Sequence, residues 1–566
     1  MAGRRVRTPR GLSAFAVVGA AALAVVLTMA YGPIGATAAP GGAPDLASMV
    51  RAVSDPHSPL YRHFETPAQV AQYMPTGLWG SARSVPGAGA HLMHPQRIVA
   101  TAAGDAKTCS DYFGQFASDT HPALPGGTTA KGQGWPPVPT PLAICGYTPD
   151  QLRSAYDTDG DSGSGVTVAI LGAYNSPTMP ADAERYATDH GDAGFTDGQY
   201  TQYLMPGAWT LQDQCGVDSW AAEQTLDVEA VHALAPRASI RYVGADSCQD
   251  PDMLAALARI VGNRMADVVT ASWGSPLHTA EGDEPASVIA TYERLFQIAA
   301  LEGITVNFAA GDCGANLPDS GCGKGLGSVR AQTTFPASDP WVTAVGGTSL
   351  AIGADGDSLW QAAWGTRAWE LNGTTWKPLG WVFGGGGGAS EDFAQPWYQV
   401  HQVPDALAQT LLDGQPAPSA RRVVPDISLD GDPFTGMLIG QTRSDAGGPV
   451  QYGESEVGGT SLAAPLLAGL EADMAARADV WGPVREGLGF LNPALYLLAG
   501  SSYLTDVTGV VDAAGQISPP ISGISTVFAA FGDDGPLTAT PGYDAATGLG
   551  TPGEDFTRAL DRYTER

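Results

Sequence analysis

Ser461 stands in Gly458-Gly-Thr-Ser-Leu-Ala-Ala-Pro465, ahead of an apolar run that reaches about Ala476. A serine opening a helix after glycines sits where backbone N–H groups point outward, so an oxyanion forming beside it could be held there. The plainer reading is that Thr460 or Ser461 only caps the helix, the commonest duty of such residues. A hydroxyl nucleophile also needs a base. The stretch from Ser219 to Pro236 offers Glu223 and Asp227, four apart and therefore on one helical face. Two carboxyls that close share a proton more readily than both ionise, which raises one pKa. Glu223 could then accept the proton of Ser461 while Asp227 holds Glu223. Taken alone, such a pair is usually a solvated helix face, and Leu226, Val228 and Ala230 suit a half-buried helix without deciding the matter. A rival use is glycoside cleavage, but those carboxyls lie ~5–9.5 Å apart and usually come from different elements. A third acid, Asp312, follows Gly311 at the carboxyl end of the apolar run Thr305–Ala309, the edge where α/β sheets bind ligands.

The elements that must position these residues alternate. Val166–Leu171, Ser239–Val243, Asp267–Ser272, Thr305–Ala309 and Trp341–Val345 read as buried strands. Ala181–His190, Met253–Val261 and Ala286–Leu301 read as the helices between them. Apolar strands alternating with helices predict an α/β fold, a mostly parallel sheet with helices on both faces. Gly384–Gly388 is five glycines in a row, either a linker or a place where backbone approaches something closely.

Taken in order, Glu-x-x-x-Asp, then Gly-Asp, then Gly-Thr-Ser-x-x-x-Pro resemble the sedolisin (serine-carboxyl peptidase) family of the subtilisin-like clan. The likeness runs from about 145 to 561. It includes Tyr147–Tyr156, Val269–Gly274, Phe335–Thr348, Gly384–Ser390 and Val424–Ser428. Subtilisins proper use histidine and aspartate instead. Here the first strand ends Ile170-Leu-Gly-Ala173 without an acid, and none of the nine histidines lies in a His-Gly-Thr-His type segment. His232 shares the acidic helix and reads as a packing or surface residue. The resemblance implies Ser461 as nucleophile, Glu223 as general base, Asp227 as its partner and Asp312 in the oxyanion hole. It implies a serine-type peptidase acting in acid on proteins and peptides, internally or as a tripeptidyl-peptidase. Chemistry agrees: a carboxyl can donate to an oxyanion only while protonated, and a glutamate base (reference pKa ~4.3) works at lower pH than histidine (~6.5). A relative that has lost catalysis and only binds is the remaining alternative, but Glu223, Asp312 and Ser461 are all present.

The same resemblance implies one calcium ion. Leu504–Gly509 and Thr540–Gly550 are similar to the family's calcium loops, with ligands falling on the side chains of Asp506 and Asp544 and the carbonyls of Val507, Thr540 and Gly542. Calcium takes six to eight oxygens, and such turns provide them. Thr540 replaces a usual glycine, which a carbonyl ligand tolerates.

Arg4, Arg5, Arg7 and Arg10, the apolar run Leu12–Ala30, and Ala36-Thr37-Ala38 form the order of a secretory signal peptide, expected to span 1–38. The chain is then secreted, without stable membrane association. Export makes disulfides of the six cysteines, and short loops favour 109–145, 215–248 and 313–322. No Cys-x-x-Cys or Cys/His cluster has zinc spacing. Residues 39–144 are expected to be an atypical N-terminal region before a peptidase domain at 145–566. Leu46–Val53 and about Pro67–Tyr73 read as helices. Ser54–Phe64 and Thr66–Met74 resemble the later half of a sedolisin propeptide, which implies an intramolecular inhibitor cut away between about 75 and 148. The 566 residues carry 58 acidic against 29 basic side chains, a formal charge of -29, with lysine only at 107, 131, 324 and 377. That balance argues against nucleic acid and suits an acidic habitat. A monomer is expected.

Overall fold

A computed structural model of the chain describes residues 93–95, 98–99, 146–158, 162–353, 355–373, 375–444, 450–478, 487–508, 515–518, 527–532, 535 and 537–560. All of these fall in one compact unit that begins at Leu46. The expected signal peptide, the helices at Leu46–Val53 and Pro67–Tyr73, and the Cys109–Cys145 pair lie outside the described residues.

Eight strands form the central sheet: β1 (Thr167–Ala173), β2 (Tyr200–Leu204), β3 (Ser239–Ala245), β4 (Val268–Ala271), β5 (Thr305–Ala309), β6 (Thr343–Ile352), β7 (Ser358–Ala363) and β8 (Ile427–Asp430). Their order is β7-β6-β5-β4-β1-β3-β2, with β8 beside β6. Every pairing is parallel except β6 with β7. Strands alternate their side chains between faces, and β1 does so strictly. Val168 and Ile170 join a core with Val228, Val231, Ala468 and Ala472. Ala169 and Leu171 face the opposite way, into a core with Leu254, Leu257, Phe296 and Phe308. This places α3 (Val217–Leu234) and α6 (Thr460–Ala478) on one face, and α4 (Asp250–Gly262) and α5 (Ala286–Leu301) on the other. The expected mostly parallel sheet with helices on both faces is what forms. The strands foreseen from apolar runs recur, Thr305–Ala309 with the same ends and the others with shifted ones; Trp341–Val345 is the largest change, running as Thr343–Ile352.

The glycine run is no linker. Gly386 donates its N–H to the Gly311 carbonyl at 2.6 Å. A Cβ on Gly386 or Gly387 would collide with the carbonyl of Ala310 or of Ala545. Glycine is required because three backbones meet beside the end of β5.

A second sheet, unforeseen, pairs strands 375–384, 365–372, 527–530 and 515–518 in that order. Two of these strands, 515–518 and 527–530, come from between the two expected calcium loops and pair antiparallel.

Candidate active site

Helix α3 is buried over almost its whole length, from Ala222 to Leu234, not half-buried. It lies against β1 and β3 on one side and α6 on another. Glu223, Asp227 and Glu229 are therefore all inside, each no more than 2% exposed. Burial removes water from the charged form, so the Asp227 carboxyl is held well above the usual carboxylate range. Glu229, which sequence reasoning passed over, accepts the N–H of Gly440 at 2.9 Å and faces away from the acid pair.

Ser461 sits in the first turn of α6, after Gly459 at φ +112°. Its Oγ donates to the carbonyl of Ser272 at 3.2 Å. The Ser272 hydroxyl in turn donates to Asp227 Oδ1 at 2.6 Å and lies 3.2 Å from the carbonyl of Ser461. Ser272 follows the last residue of β4, so the sheet edge brings the acidic helix and the serine helix together. Its only sequence signal is its place in Ser272-Trp-Gly274, just past a buried strand.

Asp312 lies just past the end of β5 and reaches the residue before Ser461. Its Oδ1 accepts the N–H of Thr460 at 2.7 Å and the Thr460 hydroxyl at 2.9 Å. The N–H of Gly311 donates to Thr460 Oγ1 at 3.0 Å, closing a small ring. Thr460 thus ties Asp312 to the serine rather than simply capping the helix. Burial pushes the Asp312 carboxyl up to about 7 against the pull of its two Thr460 hydrogen bonds. The loop beyond is pinned twice. Cys313 pairs with Cys322, as expected, and Gly384 donates its N–H to the Asp312 carbonyl at 3.1 Å while accepting from Gly314 at 2.9 Å. The expected Cys215–Cys248 bridge also forms.

His232 packs. Its ring stacks on Phe195 at 4.2 Å and Nε2 lies 3.3 Å from the Ala193 carbonyl. Burial lowers its pKa.

The two expected calcium loops meet: Asp506 Oδ2 accepts the N–H of Gly542 at 2.8 Å. Asp544 is buried and accepts the N–H groups of Thr540, Ala546 and Thr547 at 2.8–2.9 Å, so it also organises its own turn. Val507 lies beside Asp506, and Thr540 and Gly542 are exposed. Among the described residues no three His, Cys, Asp or Glu side chains converge as a metal set. A cation here would lean on carbonyls more than on carboxylates, a donor set that fits calcium.

Two short strands from the N-terminal region reach this neighbourhood. His94–Pro95 pairs antiparallel with Trp273–Gly274, and Ile98–Val99 with Val457–Gly458. They dock on the segments that follow Ser272 and precede Ser461. Among the described residues no helix is long and apolar enough to cross a membrane.

A subtilase family model matches residues 216–486. Kumamolisin from Bacillus sp. (strain MN-32) is 31% identical over 417 residues, covering 72% of this chain and 62% of that protein. Sedolisin from Pseudomonas sp. (strain 101) is 26% identical over 332 residues, covering 58% of this chain and 50% of that one. The chain therefore matches between half and two thirds of the length of these relatives. The solved structure of Pseudomonas sedolisin, a serine-carboxyl proteinase complexed with two molecules of pseudo-iodotyrostatin, superposes with a TM-score of 0.54 at 22% identity. It covers 74% of this chain and 99% of that one. That likeness speaks for the fold.

Proposed function

The chain belongs to the sedolisin family, with its subtilisin-like fold, and from that premise we propose that it is a serine-carboxyl peptidase acting in acid through Ser461. Glu223 accepts the Ser461 proton as Oγ attacks the scissile carbonyl, and Asp227 shares and steadies the proton on the pair. The tetrahedral oxyanion takes hydrogen bonds from the protonated Asp312 carboxyl and the Ser461 backbone N–H. Collapse breaks the C–N bond, and Glu223 returns the proton to the leaving amine. Water, deprotonated by Glu223, then releases the acyl group from Ser461.

The observation that carries this reading is Asp312: a buried carboxyl, raised to about 7, hydrogen-bonded to the residue before Ser461. Such a group is a neutral donor throughout the acid range. The test is hydrolysis of an unfolded protein from about pH 3 to pH 8, with and without a peptide aldehyde that traps serine nucleophiles. Activity on the acid side alone, blocked by the aldehyde, is expected. A neutral optimum or indifference to the aldehyde would sink the proposal. Product lengths from the same digest separate internal cleavage from release of tripeptides.

One calcium ion bound by Asp506, Asp544 and the carbonyls of Val507, Thr540 and Gly542 would cross-link the two C-terminal loops. Saturating calcium at 100–1,000 times its Kd adds about 3–4 kcal/mol to a fold that alone binds it. Chelation is therefore expected to lower Tm by several degrees, reversibly, and Asp506→Asn to remove that calcium response. An equal Tm with chelator and with calcium would remove the ion from the proposal.

The N-terminal region is proposed as a secreted chain's inhibitory propeptide. Its support is the two short strands His94–Pro95 and Ile98–Val99, which pair with the segments after Ser272 and before Ser461 as a substrate strand would. The 215–248 and 313–322 disulfides suit an extracellular protein. N-terminal sequencing after acid exposure should find the new terminus between about 75 and 148; an unprocessed yet fully active chain would refute the inhibitor role.

A further inference from the structure

Pro465 sits inside α6, four residues after Ser461. In a regular helix the N–H at that position returns to the carbonyl of Ser461, and proline has none to give. The Ser461 carbonyl is thus without its helical i+4 donor, and the Ser272 hydroxyl lies 3.2 Å from it. The same hydroxyl lies 2.6 Å from Asp227 Oδ1. It has one hydrogen for two acceptors. Meanwhile the Ser272 carbonyl holds the Ser461 hydroxyl at 3.2 Å. Ser272, Asp227 and Ser461 are all buried, so water does not relieve the competition.

We propose that Ser272 is a positioning residue that couples the protonation of Asp227 to the setting of Ser461. While Asp227 is ionised, the Ser272 hydroxyl donates to its carboxylate. When Asp227 takes a proton, the acid donates to Ser272 Oγ, and the hydroxyl hydrogen turns to the Ser461 carbonyl. One proton arrives on Asp227 and no bond between heavy atoms changes. The first turn of α6 thereby gains or loses a hydrogen bond according to the charge state of the acid pair.

The titratable groups around this link are Glu223 on the same helix, Tyr242 on β3, which senses both acids, and Asp312 beyond Thr460. Removing the Ser272 hydroxyl takes away a bond that favours the ionised Asp227. The pair then loses its first proton at a higher pH.

The inference rests on the reading of Ser461 as nucleophile. Its test compares kcat and KM for a peptide substrate across the acid range in the processed enzyme and in Ser272→Ala. The acid limb of kcat/KM is expected to move up by about one pH unit and kcat to fall about tenfold, with KM little changed. Ser272→Cys keeps the volume with a weaker donor and should move the limb the same way by less, which covers the case of an alanine variant that does not fold. A serine that merely fills space would lower Tm or kcat with the limb in place, and an unmoved limb in the folded variant overturns the inference. Failure of the aldehyde to block the unsubstituted enzyme would overturn the nucleophile reading instead, so the two failures are told apart.

Discussion

Ser461→Ala lowers kcat by about 10⁵–10⁶-fold, and Asp312→Ala by about 10²–10³-fold, the usual cost of removing a nucleophile and one oxyanion donor. Asp312→Asn separates the chemistry from the architecture. The carboxyl at 312 accepts from Thr460 through Oδ1. An asparagine keeps that acceptor and offers an N–H from its other terminal atom at every pH. The natural carboxyl is held up to about 7 and stops donating as it ionises. The asparagine variant is therefore expected to retain much of the acid-range rate and to extend activity on the alkaline side, up to the limit set by the fold. Rate measurements on a peptide substrate, with circular dichroism to confirm folding, decide it. If Asp312→Asn is as slow as Asp312→Ala at every pH, the side chain is structural and the oxyanion is held elsewhere.

Residue type and spacing made the four proposed side chains legible, but not what joins them. Glu223 and Asp227 are visible as a helical pair from a spacing of four, and Asp312 from a glycine after a strand. The Ser272 and Thr460 links could not be read, because they are contacts between residues 45, 189 and 148 positions apart. A lone serine in Ser-Trp-Gly carries no periodic signal. Periodicity also left the depth of α3 undecided: a helix wedged between a sheet and a second helix is buried all round, so its polar positions do not mark solvent. The glycine run was ambiguous for a related reason. Permissive backbone is needed both for slack and for close approach, and only the neighbours Ala310 and Ala545 distinguish them. Strand ends drifted because β6 continues past its apolar run to pair with β7, a long-range partner that the run itself does not announce.

Raising pH from about 4 to neutrality is expected to destabilise this protein, independently of any effect on catalysis. The cause is the number of carboxyls the fold has buried. Asp432 is pushed up to about 6, Asp312 to about 7 and Glu471 to about 8, each chiefly by burial. Asp227, Glu229, Asp339, Asp430 and Glu456 are also held well above the usual carboxylate range, for the same first reason. In every case the folded pKa lies above the unfolded one, so the folded chain binds more protons. That stability is fully present below the unfolded value near ~4 and is lost as pH rises through each folded pKa. Each such group costs up to about 1.4 kcal/mol per pH unit inside its window. Several acting together between about pH 4 and 7 are comparable with the ~5–15 kcal/mol that typically holds a domain. Tm measured from about pH 3.5 to 8 should therefore fall steeply over that range, the reverse of an acid-denaturing protein. Glu471 isolates the cause, because it accepts from Asn307 inside the core, away from the reacting groups. Glu471→Gln keeps shape and acceptor but removes the charge that must otherwise form. It is expected to leave Tm near pH 4 unchanged within a degree or two and to make the fall shallower by about one proton's worth. A Tm that stays level, or rises, on neutralisation would mean these carboxyls are solvated in the folded state, and the proposed acid preference would then have to come from Glu223 and Asp312 alone.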